Sequence, residues 1–457
     1  CIGIIPCIDA GPDDPPGGMP PNGFGPGGMP PEGAAGTNAP PARPDGMQPG
    51  GATDALSYKF NSSRILDGEN ASETDGFYTS NTTDTSAIYV INKGNLVLRN
   101  PDIKTSGDTS SNDASSFYGL NAAVLATSGS TVQITGGRVT TTGTGANGVF
   151  STGKGTTINL TDVSINCTGD GGHGVDATLE GVLNLKDVDM VTSGSHGAAI
   201  ATDRGSGTIN VIGGKAVTYG ADSPGIYSTG MITVKDATIS GVGAEGAVIE
   251  GKNTIALTNT TLNCGTQKTG GIMIYQSFSG DAEVGTGNFI MNGGSISAEV
   301  GPVFYVTNTE AEIKLYAVNI TSASGVLIKA EATDRWGQSG SNGGIVVVTA
   351  SEQKLSGDIV IDSISTVEAA LQNSTTLTGS INAGNSGKSA SLAIDASSTW
   401  NVTADSYLTD FSDDDATLKN IQGNGHTVYY DRSLTSNSWL GAKTYSLNNG
   451  GELKPEA

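Results

Sequence analysis

TVQITGGRVTTTG (131–143) and TINLTDVSINCTG (157–169) are one phrase written twice, with Thr131 and Thr157 at its two starts. Val132, Ile134 and Val139 of the first overlie Ile158, Leu160 and Ile165 of the second, and Gln133 overlies Asn159. Apolar and polar residues alternate, which is the pattern of a strand with one face turned inward. A Gly-Gly or an Asp divides each phrase, and both suit a sharp corner. Working outward, each phrase follows a short apolar run led by Gly or Ala. The starts are Ala123, Gly148, Gly174, Gly197, Gly225, Gly246, Gly271, Pro302 and Gly325, at intervals of 25, 26, 23, 28, 21, 25, 31 and 23 residues. A repeat of this length marks a stacked architecture. Each period holds about three short strands and no helical pattern. The expected fold is therefore all-β, a parallel β-helix of about a dozen coils, roughly 60 Å long by strand spacing and right-handed by the crossover rule.

Composition agrees. The chain has 457 residues, of which 67 are Gly, with 15% charged and 5% aromatic. It lacks the bulk to fill a wide globular core, but stacked Val, Ile and Ala fill a narrow one. The formal net charge is −22. Neutralising phosphates needs a Lys/Arg footprint, so nucleic acid is not an expected partner. No run of about 18 apolar residues spans a membrane. The chain begins with Cys1 and reads as an exported protein, extracellular or at the cell surface, with its signal peptide removed. Two readings of Cys1 stand: a lipid-bearing cysteine, which would be the one link to a membrane, or an ordinary secretory cut.

Four regions follow. Residues 1–52 are a Pro/Gly-rich tail, as in PPGGMPPNGFGPGGMPPEG. Residues 53–85 form an N-terminal cap with SYKF and GFYTS as strands. Residues 86–395 are the β-helix, interrupted by excursions at 106–120, 276–287 and 331–344. Residues 396–457 hold the last coils and a cap, where Trp400, Trp439, Tyr407, Tyr429 and Tyr430 crowd together; a terminal coil must hide its strand edges.

TVQITGGRVTTTGTGANGVFSTG and ITVKDATISGVGAEGAVIEG resemble secreted right-handed β-helix proteins of the pectin-lyase-like superfamily, nearest its non-enzymatic, adhesin-like bacterial members. The resemblance covers roughly residues 86–400. It implies fold more than function, because that superfamily also includes lyases and hydrolases.

Candidate chemistry is sparse. Gly172-His173-Gly174 matches the GHG of polygalacturonase-like hydrolases, but their N-T-D and R-x-K elements are missing, and Asp413-Asp414-Asp415 lies far away. Glycoside hydrolysis needs two carboxylates about one bond, so no catalytic residue is assigned and the phrase reads as a Gly-x-Gly corner. Gly171–Asp176 fits one calcium nonapeptide, a site that works only in tandem. Asn147, His173, His196, Pro224 and Glu245 precede successive coil starts, which would set His173 and His196 about 5 Å apart. With no third ligand in view they read as a structural ladder, and neither metal nor cofactor is assigned.

The loops ATDRGSG (201–207), QSFSGDAEVGTG (276–287) and ATDRWGQSGSNGG (332–344) follow the same strand of their coils and should emerge along one edge. They offer Asp203, Arg204, Phe278, Asp281, Glu283, Asp334, Arg335 and Trp336 as a ligand- or partner-binding edge. An exposed Trp beside Asp and Arg stacks a sugar or anchors a protein; the plainer alternative is a loop packed on its own coil, with Asp-Arg as a local ion pair.

The four cysteines are disulfide candidates in an exported chain. Cys167 and Cys264 occupy equivalent positions four coils apart, about 19 Å, too far to bridge. Cys1 and Cys7 span about 20 Å when extended, which would let the tail staple the two, or join subunits. Alternatively Cys167 is buried and free, stacked with Thr141 and Thr192, and Cys1–Cys7 is a separate ring. The function expected is a non-enzymatic surface rod that acts as an adhesin or assembles with copies of itself, end to end and through the tail, into a filament. The alternative is a β-helix that binds or degrades polysaccharide, with surface glycans as partners.

Overall fold

The computed structural model describes residues 58–265 and 269–456. The Pro/Gly-rich tail, with Cys1 and Cys7, lies outside the described residues.

The chain is a parallel β-solenoid. One turn shows the plan. Val149–Thr152 joins a 12-stranded sheet, then Thr157–Thr161 and Ser164–Cys167 join a 22-stranded sheet that carries two strands per turn. Each of these strands pairs in parallel with its equivalents one turn before and after, as Ile158 does with Val132 and Leu183. The inward column of the second sheet runs unbroken through Leu96, Val132, Ile158, Leu183, Ile209, Ile232, Ile255, Phe289, Ile313, Val348, Ala369, Leu392 and Phe411. All are buried, each large side chain contributing about 1.5–3 kcal/mol.

The corner between the paired strands explains the Gly/Asp/Asn signature. Gly136, Asp162, Asp187, Gly213, Asp236, Asn259 and Gly293 stack there with φ between +52° and +71°. Only Gly takes that left-handed conformation freely, with Asn and Asp next.

There are about 16 turns rather than a dozen. The first sheet supplies twelve. Its column then continues through Ile381, Ser406, Val428 and Leu453. These last turns have lost the Gly-led phrase, which is why a count based on it stops early. At about 4.8 Å per turn the rod is about 75 Å long. At the start, Asn61–Asp67, Asn70–Thr74 and Phe77–Ser80 already pair in register with the following turn, so the expected entry segment supplies a turn of its own. At the other end Trp400 is fully buried in the core. The 3-10 helix Thr435–Leu440 lies on the edge of Asp410–Asp413, where the Asn437 side chain accepts from the Phe411 amide at 2.9 Å and Trp439 Nε1 donates to the Phe411 carbonyl at 3.0 Å. Tyr445–Ser446 pairs antiparallel with the final strand Glu452–Pro455.

Three coil starts shift. Val175 pairs with Ile200, so Ala199, not Gly197, stands opposite Gly174. Pro302 and Gly325 are likewise one and two residues early. The consequence is a correction: Gly174 N donates to Ala198 O, so the residue stacked on His173 is Ala198 and the His173–His196 ladder does not form.

The cysteine column stands as the buried reading has it. Cys167 pairs in register with Thr141 and Thr192. Among the described residues Cys167 and Cys264 are free and buried, while Cys1 and Cys7, the other two disulfide candidates, lie outside them. Burial pushes the Cys167 and Cys264 thiols up to about 11 and about 12.

Candidate functional site

Sidedness alone would put every outward residue of the first sheet in water. The column Tyr89, Leu125, Phe150, Asp176, Ala201, Tyr227, Val248, Met273 and Tyr305 points outward, and all of it is buried. Three excursions cover it. The first, 106–120, folds into the helix Asn112–Tyr118, capped by Ser111 and closed by Gly119 at φ 77°. This lid lies across the lower turns: Thr178 Oγ1 donates to Phe117 O at 2.8 Å, and Asn147 Nδ2 donates to Ser115 O at 3.1 Å. A side chain at Gly119 would strike Phe150 and Leu125, so the close approach requires glycine. The upper turns are covered by loops 276–287 and 331–344; Trp336 packs on Tyr275 with ring centroids 4.7 Å apart.

Between lid and sheet lies a polar pocket of unusual charge. It gathers Asp176, Asp203, Glu250 and Asp281 from four different turns, and Asp176, Asp203 and Glu250 are at most 1% exposed. Glu250 is well satisfied. Its Oε2 accepts from Tyr227 at 2.6 Å and Tyr275 at 3.1 Å, and its Oε1 accepts from the Ser277 amide, Ser277 Oγ and Ser279 Oγ. That ties loop 276–287 to the sheet. Arg204 lies over the Phe117 ring at 4.2 Å and faces Asp281 at 3.8 Å.

The lower half is not satisfied. His173 enters from the corner before its strand, with its backbone N–H held by Asn147 Oδ1 at 2.8 Å. Neither of its ring nitrogens makes a hydrogen bond of normal geometry, nor does either Asp176 oxygen or Asp203 Oδ2. Donor atoms of His173, Asp176 and Asp203 all lie within 4.8 Å of one another. Burial, reinforced by Asp203, holds the Asp176 carboxyl well above its ordinary range. Burial, then Asp281 and Glu250, does the same to Asp203, with Ser116 and Arg204 opposing. Burial pushes His173 down to about 4, and raises Asp281 to about 6.

The expected loop edge exists, since all three loops follow strands of the first sheet. Its residues divide. Asp203, Arg204 and Asp281 turn inward into the pocket, and Trp336 and Arg335 are half-buried. Phe278, Glu283 and Asp334 face solvent. Trp336 is thus a packing residue of the cover, and Arg204 pairs across loops with Asp281 and not with its neighbour. Glu250, Tyr227 and Tyr275 were not legible as site residues, and Asp176 figured only in the calcium phrase. One signal was present: AVIE, IMIY and FYVT are buried throughout, whereas the second sheet alternates. A strand without alternation is covered on both faces, and a carboxylate inside such a run needs a partner.

No protein-family model matches this chain, and neither a curated protein nor a solved structure matches it.

Proposed function

We propose that the protein is a non-enzymatic extracellular rod, a cell-surface solenoid that adheres or associates with copies of itself. The observation that carries this reading is the sealing of the acidic pocket. Asp176 and Asp203 are fully covered by the lid helix and its neighbouring loops, so a polymer has no path to paired carboxylates, while the long faces of about 16 regular turns stay open for contact. The resemblance of the coil phrases to adhesin-like β-helix proteins supports the same reading, and so does the acidic surface, which keeps such a rod soluble. Negative-stain electron microscopy of the full chain, with light scattering over a hundredfold concentration range, tests it. End-linked or laterally joined rods, or saturable attachment to cells, are expected. Isolated rods that attach to nothing would overturn it.

A second reading, polysaccharide binding, is favoured by a cavity of about 290 Å³ beside loop 331–344, lined by Thr333, Asp334, Asn342, Asp362 and Ser363. A glycan array separates the two: retention lost in Asp334→Ala supports a binding module, and release of oligosaccharide would make it an enzyme.

A further inference from the structure

His173, Asp176 and Asp203 of the lidded cluster stand out, because five of their buried side-chain atoms make no hydrogen bond of normal geometry. His173 is wholly buried with neither ring nitrogen in a hydrogen bond of normal geometry, and it faces two buried carboxyl groups of which both Asp176 oxygens and Asp203 Oδ2 are in the same position. A buried polar group left unpaired destabilises the fold, and here five such atoms meet in one place. Among the described residues the cluster also holds four carboxyl groups against one arginine, Arg204, which is shared between Asp281 at 3.8 Å and Asp203. Glu250 is satisfied by hydroxyl and amide donors. What remains is a site with two carboxyl groups and one imidazole, and too little positive charge for the acids it holds.

We propose that His173, Asp176 and Asp203 bind one divalent transition-metal ion of the zinc type beneath the lid helix. One nitrogen and two oxygen donors suit such an ion, with bonds of about 2.0–2.2 Å. Calcium asks for six to eight oxygens, which this pocket does not offer. Donors around a small ion stand about 3–4 Å apart, so the three groups, already within 4.8 Å of one another, close on it by side-chain rotation. Two carboxylates with a neutral imidazole balance the charge of a divalent ion. The ion bridges two turns, because His173 and Asp176 belong to one and Asp203 to the next. Asp203 also faces Ser116 of the lid, so the metal fastens the lid as well as the coils. The three protein donors leave one position of a four-coordinate ion for water or a second carboxylate oxygen, under a lid that buries all three residues.

The test uses the full chain. Protein refolded from denaturant with zinc, then passed through a desalting column, should carry one zinc per chain by mass spectrometry. Its melting midpoint should exceed that of protein refolded with chelator. Asp203→Asn, which keeps the shape of the side chain, should lose at least a hundredfold in zinc affinity while keeping its β-sheet circular dichroism; His173→Ala should do the same. Zinc-free wild-type protein that melts as the zinc-refolded sample does would overturn the assignment. So would stoichiometric zinc that persists in both variants, or a site filled by calcium alone. Should a variant fail to fold, wild-type stoichiometry and an anomalous zinc peak at His173 decide. None of these outcomes depends on whether the rod adheres or assembles.

Discussion

The two long outward faces obey the same alternation and meet opposite surroundings. On the second sheet, Gln133, Asn159, Asn184, Asn210 and Thr233 stack at the surface, and Asn184 and Asn210 each donate to the asparagine one turn before at 2.9 Å. On the first sheet, Phe150, Asp176, Ala201 and Tyr227 point outward just as regularly and are sealed in. Strand periodicity fixes which way a side chain points. Whether anything lies above it is decided by excursions many residues away.

The sharpest way to break this contrast is Phe150→Ala. An outward residue on an open face would cost almost nothing, but this one supports the lid, so unfolding in urea should show a loss of about 3–5 kcal/mol. Limited proteolysis should then cut within 106–120. Wild-type stability would mean that the lid does not pack there. Glu250→Ala comes next. It strands the hydroxyls of Tyr227 and Tyr275 and releases loop 276–287, at a cost of about 2–4 kcal/mol, with new cleavage in that loop as the check.

Asp413 lies between the extremes, half covered at the end of the second sheet. Burial, aided by Asp415 and Asp414, raises its carboxyl from 3.8 to about 6, against hydrogen bonds from Asn420 and the Asp415 amide. The folded state therefore binds this proton more tightly than the unfolded chain does. Its contribution is greatest below about pH 4 and is lost as pH rises to about 6. Solvent screening limits the effect to about 1 kcal/mol. Asp413→Asn should flatten that part of the stability curve, measured as the difference from wild type between pH 4 and pH 7.5. The smallest effect should be Asn184→Ala on the open face, about 0.5 kcal/mol by chemical denaturation; a loss above about 2 kcal/mol would show that the asparagine stack is a framework element.

The fold was legible because its corners are chemically marked. A left-handed residue recurs at each turn, and Gly, Asp or Asn fills it as far as Gly293, with Ala317 and Glu352 in the next two turns departing from the mark. The register failed where that mark was ambiguous: Ala199 begins its coil without a glycine, and Gly197 two residues earlier imitates one. That displaced His196 onto a column it does not share. Asp203, Arg204 and Asp281 were found as loop residues, but not as inward ones, because the lid that shelters them comes from residues 112–118. Nothing local to Asp203 announces a cover that far away in sequence. The thiols were readable for the opposite reason. Cys167 sits within a plain alternation, where Thr141 and Thr192 mark its slot.

The C-terminal closure bears on how such rods could grow. With Tyr445–Ser446 laid antiparallel on the last strand, and Asn437 and Trp439 engaging Phe411, an arriving molecule finds no vacant amide row on those edges. Backbone-to-backbone extension is thereby denied to one pole of the molecule. Two opposite poles meeting would not prolong the ladder, and two like poles meeting would make a closed pair by twofold symmetry. A longer polymer would need side-chain contacts, at the poles or along the flanks, in place of a continued ladder.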